Sequence, residues 1–243
     1  MAKIHTLTYN GTKSSDLGVF VSGSGSFDAA ELDVDKYEIP GRNGDLILSN
    51  NRYKNVEITY PAFIPKAFMD KVQNVRNWLR SSKVYARLED TYDMDHYRLG
   101  IPTGVQSFSP ENRNDGANFE MTFDCKPQRF LKVGETPETV EADVQAEPYN
   151  IENPTLFDAR PLFTVTNPAE GDVIMVNGQA ITFVDGYAGT VYIDCETMNA
   201  FSGAANLNSI IQATDFPVLV PGTNIVTWTG AGECTMTPRW WEL

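Results

Sequence analysis

Apolar and polar residues alternate over short runs along most of this chain, and a helical period appears in one stretch. Val56, Ile58 and Tyr60 alternate with Glu57 and Thr59; Phe119, Met121, Phe123 and Cys125 alternate with Glu120, Thr122 and Asp124. A period of two predicts strands buried on one face. After Pro65, the residues Phe68, Val72, Val75 and Leu79 recur at helical spacing, forming one apolar stripe, while Lys66, Asp70, Asn74 and Asn77 face away. Pro65 suits a first helical position, because the N–H it lacks would be unpaired there. Ser81-Ser82 closes the helix. The pattern predicts a helix packed across a sheet.

Shorter strands fill the rest of the first half. Residues 5–9 and 18–22 are rich in strand formers and are separated by Asn10-Gly11, a hairpin signal. Residues 22–26 read as a flexible Ser-Gly link. No Gly-Lys-Ser/Thr follows it, so it is not a phosphate loop. A strand over 34–39 ends at Pro40, and Gly41, Asn43 and Gly44 supply a turn that tolerates positive φ. The strand resumes at Leu46–Leu48, and Asn50-Asn51-Arg52 reads as a second polar turn. Strands are also expected over 84–88 and 97–101, a loop over 109–118, and a stop at Pro127 after the cleanest strand.

From Val133 to Pro148 the chain is acidic and lacks a hydrophobic period, which marks a linker. Beyond it come short strands over 162–166, 173–176, 181–184, 191–195 and 225–228, with a turn at Asn177-Gly178. Regular short strands with turn signals predict an antiparallel sandwich. The expected organisation is therefore a mainly β chain: an N-terminal domain over 1–132 with one packed helix, a linker over 133–150, and a C-terminal antiparallel β-sandwich over 151–243.

Charge and cysteine usage narrow the function. The 243-residue chain carries a net charge of -13, which repels nucleic acid as a whole and argues against a DNA binder, though not against a channel through which DNA slides. Its three cysteines, Cys125, Cys195 and Cys234, are widely spaced and odd in number. That argues against a disulfide framework or a zinc site, and Cys125 and Cys195, each on the apolar side of an alternating run, are expected to be buried free thiols. The first residues lack a signal-peptide pattern, and no apolar run approaches a membrane span, so cytoplasmic synthesis and no membrane insertion are expected.

Candidate chemistry is sparse. The two histidines, His5 and His96, come with no G-x-S-x-G, H-E-x-x-H or S-x-x-K set. Glu89, Asp90, Asp93 and Asp95 crowd one turn, but the glycine and distant bidentate Glu of a calcium loop are missing. No catalytic residue, cofactor or metal ligand is assigned, and the chain is read as a non-enzyme. Trp228, Trp240 and Trp241 could stack on sugar rings, as a glycan platform would. The competing account is that they seal the second core.

Two sets of motifs, taken in order, carry a resemblance. YEIPGRNGDL, then FMDKVQNVRNWL and FEMTFDCKPQRF, followed by VNGQAITF, VYIDCE, FPVLVPGTN and the closing RWWEL, resemble the distal tail protein family of long-tailed bacteriophages. The likeness spans nearly the whole chain. It implies an N-terminal β-sandwich with one helix, related to tail-tube proteins, and a C-terminal galectin-like sandwich. It also implies a homo-hexameric ring, single or as two stacked rings, at the virion tail tip, with a central channel through which DNA passes without specific binding. Expected partners are the tail tube protein, the tail-associated lysin or tip protein, and receptor-binding proteins. The galectin sugar site uses a histidine, and none follows His96, so sugar binding is not carried over with the fold.

A ring needs head-to-tail contacts whose rotation closes. The polar hairpin, with Pro40, Gly41, Arg42, Asn43, Gly44, Asp45, Asn50, Asn51 and Arg52, is the expected subunit interface, because it can reach a neighbour and cover a sheet edge. Glu31, Asp33 and Asp35, or the Glu89–Asp95 turn, are candidates for an acidic lumen. The alternative function is a carbohydrate-binding module recognising host-surface glycans through the C-terminal aromatics.

Overall fold

The computed structural model describes residues 4–23, 28–104, 107–111, 113, 115–141 and 149–243. The Ser-Gly link and the centre of the acidic segment fall largely outside them. The chain forms two compact units, one of Met1–Arg129 with Leu243 and one of Phe130–Glu242.

The first unit contains β1 (Leu7–Tyr9), β2 (Thr12–Lys13), β3 (Phe20–Val21), β4 (Leu32–Tyr37), β5 (Leu46–Tyr53), β6 (Val56–Ile64), helix α1 (Phe68–Leu79), β7 (Ala86–Asp90), β8 (His96–Thr103), β9 (Phe108–Glu111) and most of β10 (Gly116–Leu131). The main sheet runs in the order β2-β1-β7-β8-β10-β6-β3. A bridge between His5 and Val21 joins the chain just ahead of β1 to β3 at the far end of that path, so the sheet curls back on its start.

The alternation of β6 and β10 explains this core. The two strands pair antiparallel, with Met121 opposite Tyr60 and Phe123 opposite Ile58. Val56, Ile58, Tyr60, Ala62 and Ile64 point inward with Ala117, Phe119, Met121, Phe123 and Cys125. Helix α1 covers the layer with Phe68, Val75, Trp78 and Leu79 buried and Val72 packed alongside.

Several boundaries differ from the sequence expectation, each for a local reason. The helix starts at Phe68 rather than near Pro65, because Ala67 takes a left-handed conformation (φ 55°). Asp115 caps the start instead: its carboxylate accepts the Ala67 N–H at 2.9 Å and its carbonyl accepts the Phe68 N–H at 2.8 Å. Asn10-Gly11 does make a hairpin turn, but it joins β1 to the short β2, and β3 pairs with β6 instead. Pro127 does not stop β10, which runs on to Leu131. The ladder with β6 has already ended at Cys125–Val56, so the missing proline N–H costs no bond on that side. Part of the expected 109–118 loop is strand: β9 pairs with β10 from Phe108 to Glu111.

The second unit holds β11 (Glu138–Val140), β12 (Tyr149–Asn153), β13 (Leu162–Thr166), β14 (Val173–Val176), β15 (Gln179–Phe183), β16 (Thr190–Asp194), β17 (Asn199–Ser202), β18 (Ala205–Asn206), β19 (Ile211–Ala213), β20 (Gly222–Trp228), β21 (Cys234–Thr237) and β22 (Trp241–Glu242). One sheet runs β11-β21-β13-β16-β17-β18 and the other β12-β20-β14-β15-β19. Phe163, Val165, Val191, Ile193, Cys234 and Met236 from the first share one core with Ile174, Val176, Ile181, Phe183, Val226 and Trp228 from the second. This is an antiparallel β-sandwich.

The acidic segment expected as a linker is partly built into this sandwich. Residues 132–135 form a 3-10 turn, and β11 pairs with β21 with Val140 opposite Cys234. A three-residue edge strand needs one buried apolar side chain, here Val140 at 1% exposure. That is too little to produce a hydrophobic period.

Candidate functional site

Among the described residues β4 and β5 pair only with each other, and every residue from 35 to 52 is exposed. They form a two-stranded arm standing off the main sheet of the first unit. Its tip is a tight turn. The Arg42 N–H donates to the Ile39 carbonyl at 3.1 Å, with Pro40 at the second turn position and Gly41 at φ 79° in the third. Proline pre-sets the first central residue and only glycine takes that φ cheaply at the second, as a type II turn requires.

The register assigns the faces of the arm. Tyr37 lies opposite Leu46 and Asp35 opposite Leu48; Lys36 lies opposite Ile47 and Val34 opposite Ser49. Opposed residues share a face. One face thus carries Tyr37, Leu46 and Leu48, exposed to 53%, 41% and 49%, and the other carries Ile47 at 59%. Ile39 at the tip is also exposed. Large apolar side chains clustered on a polar arm mark an interaction surface.

The residues nominated from the sequence divide into two groups. Pro40, Gly41, Arg42, Asn43, Gly44 and Asp45 form the exposed tip. Asn50, Asn51 and Arg52 are not a second turn; they lie within β5. Asn51 sits at φ 53°, next to an irregularity in the register between Leu32 and Val34, so this is a bulge within a strand. Arg52 is engaged inside the arm, donating to Asp33 at 2.6 Å, and that bond holds the Asp33 carboxyl below its usual range. Asn50 reaches Asp35 at 3.5 Å. The turn chemistry legible in the sequence points to the tip alone and leaves the apolar side chains of the arm unmarked. Leu46-Ile47-Leu48, three apolar residues in a row beside a turn, was the available signal.

Trp228, Trp240 and Trp241 do not share an exposed face. Trp228 is fully buried and Trp240 is 4% exposed, both in the sandwich core. Trp228 donates its indole N–H to the Gly232 carbonyl at 2.8 Å. Trp241 is half-buried, stacked on Phe157 at 4.4 Å and bonded to the Asp158 carbonyl. The crowded 89–95 turn is organised by its own backbone: Asp90 Oδ1 accepts the N–H groups of Tyr92 and Asp93 at 2.9 and 3.0 Å. Cys125, Cys195 and Cys234 are free and buried. Burial pushes each thiol up to about 12.

The fold is one found among bacteriophage tail proteins. The chain is similar to the SPP1 Dit protein, described as a paradigm of the hub adsorption apparatus in phages infecting Gram-positive bacteria. The TM-score is 0.74 at 14% identity, over 99% of this chain and 100% of that one. A chain of the phage P2 baseplate in its activated conformation with Ca matches at TM-score 0.57 and 10% identity, covering 97% of this chain and 98% of that chain. The same baseplate with Sr gives 0.57 and 10%, over 96% and 97%. No protein-family model and no curated protein sequence matches the chain. The fold is therefore Dit-like: mainly β, with a helix-bearing first unit and a sandwich second unit.

Proposed function

We propose that this protein is a structural hub of a phage tail tip. Copies assemble into a hexameric ring, single or doubled, that joins the tail tube to the tail-associated lysin or tip protein and carries receptor-binding parts. The observation that carries this reading is the exposed β4–β5 arm, on a chain whose whole length follows a phage hub fold. An arm with Tyr37, Leu46, Ile47 and Leu48 in water is unfavourable for an isolated subunit. Burying such a side chain completely contributes about 1.5–3 kcal/mol, and a neighbouring copy supplies that burial once per interface as a ring closes.

In this reading the Met1–Arg129 unit makes the ring and the second unit offers attachment for other tail components. The net charge of -13 suits a channel that DNA must traverse without adhering. The burial of Trp228 and Trp240 weighs against the alternative of a glycan-binding module.

Light-scattering mass across a concentration series tests the reading. Six or twelve times 27.0 kDa, with rings in electron micrographs, is the expected result. A monomer at every concentration, together with absence of the protein from purified tails, overturns it.

A further inference from the structure

Three Asn-Gly pairs occur in the chain, Asn10-Gly11, Asn43-Gly44 and Asn177-Gly178, and all of these residues are exposed. Asparagine before glycine is the pairing in which the backbone most easily attacks a side chain, because no Cβ on the following residue shields its amide nitrogen. What separates the three pairs is restraint rather than exposure.

Two pairs are locked. Asn10 and Gly11 lie at φ 48° and 77°, and Asn177 and Gly178 at φ 51° and 87°, the two positive values that a tight hairpin turn requires. Each turn is closed by its ladder, Tyr9 opposite Thr12 and Val176 opposite Gln179. The side-chain amides are held as well. Asn10 Nδ2 donates to Ser81 Oγ at 3.1 Å. Asn177 Nδ2 donates to Asn224 Oδ1 at 2.7 Å, and its Oδ1 accepts the Ile225 N–H at 2.9 Å. Neither side-chain carbonyl carbon can swing onto the next backbone nitrogen until its turn opens.

Asn43-Gly44 is held by none of these restraints. It lies at the arm tip between β4 and β5, beyond the turn closed by Ile39 and Arg42. Gly44 is at φ 80° but Asn43 is outside the positive-φ region, so the pair is not a turn of the locked kind. An added Cβ at Gly44 would meet nothing within 4 Å. Among the described residues no hydrogen bond holds the Asn43 side chain.

We infer that Asn43-Gly44 is a site of spontaneous covalent modification, with water as the only co-reactant. The Gly44 amide nitrogen bonds to Asn43 Cγ, the Cγ–Nδ2 bond breaks, and Nδ2 leaves as ammonia with the proton that the Gly44 nitrogen gives up. Water then opens the cyclic imide. Addition at the side-chain carbonyl gives an aspartyl residue, and addition at the main-chain carbonyl gives an isoaspartyl residue. Either product adds a negative charge beside Asp45 at the tip, and the second also lengthens the main chain by a methylene. The chemistry is independent of the hub reading.

The test ages the unmodified full-length protein at physiological temperature and mildly alkaline pH. Digestion at acid pH and peptide mass spectrometry then follow the three asparagines separately. A turn that must open before it reacts is slowed tenfold for each about 1.4 kcal/mol of opening free energy. Position 43 should therefore convert at least about tenfold faster than positions 10 and 177 in the folded protein, with electron-transfer fragmentation showing both products. Ageing in urea should bring the three rates close together. Conversion at position 43 no faster than at the other two in the folded protein would overturn the assignment. So would a preference for position 43 that persists undiminished in urea, since the fold would then not be what selects it.

Discussion

The indole N–H of Trp78 donates to the main-chain carbonyl of Tyr9 at 3.1 Å. The two rings meet edge-on with centroids 6.4 Å apart. This contact fastens the last turn of the helix to the first strand, 69 residues away in sequence. Trp78→Phe keeps most of the buried ring and removes the donor. It should destabilise the protein by about 1–3 kcal/mol, read as a lower thermal midpoint with unchanged far-ultraviolet circular dichroism. A midpoint equal to wild type would mean the bond contributes nothing net.

What the sequence disclosed, and what it did not, follows from how each element is buried. β6 and β10 have one face in the core and one in water, so Val56–Tyr60 and Phe119–Cys125 alternate visibly. The Asn177-Gly178 turn joining β14 to β15 was legible because those residues tolerate positive φ. The helix start was not, because its cap is Asp115, placed by the fold rather than by neighbouring sequence. β11 leaves no hydrophobic period in the sequence because one valine suffices to hold it. The arm was half read: the chemistry of its tip is local and visible, whereas the exposure of Leu46, Ile47 and Leu48 depends on β4 and β5 standing apart from the sheet. The core position of Trp228 likewise depends on the facing strands, so an isolated tryptophan near the chain end could not choose between packing and binding.

In the sandwich, Arg239 forms an ion pair with Asp194 at 2.7 Å. Burial by itself would raise the Asp194 pKa, but the Arg239 bond and charge, with the N–H groups of Glu196 and Thr197, outweigh it and leave the carboxyl below its ordinary value. A carboxyl with a depressed folded pKa adds stability above its unfolded value, about pH 3.9, and loses it as pH falls through the lower folded value. Asp194→Asn should therefore cost about 1.5–3 kcal/mol at pH 7. The gap to wild type should narrow below about pH 4. Urea unfolding at several pH values measures it, and a gap independent of pH would show that the pair's charge is not what stabilises.

The three cysteine thiols, each raised to about 12 by burial, should be inert in the native state. Only the thiolate reacts, and reagent cannot reach it. Ellman's reagent at pH 8 should report almost no free thiol in the native protein and three per chain after unfolding in guanidinium. Rapid labelling of Cys125 in the folded protein would mean that the core between β6 and β10 opens readily.

The decisive mutations lie on the arm. Leu48→Asp together with Tyr37→Asp places two charges on the face that β4 and β5 share. Both positions are exposed in the subunit, so neither substitution buries a charge in the monomer, and surface changes of this kind usually alter stability by less than about 0.5 kcal/mol. At an interface the same charges would be desolvated without partners, at a cost of several kcal/mol per contact, repeated around a ring. The expected outcome is a well-folded monomer with a thermal midpoint near that of the isolated wild-type subunit, unable to form rings at concentrations where wild type does. Shortening Gly41–Asp45 should weaken assembly less, because it removes the tip and spares the apolar face. If the double variant assembles as wild type does, the arm is not the contact between copies; if it unfolds, the arm packs against its own subunit more closely than its exposure indicates.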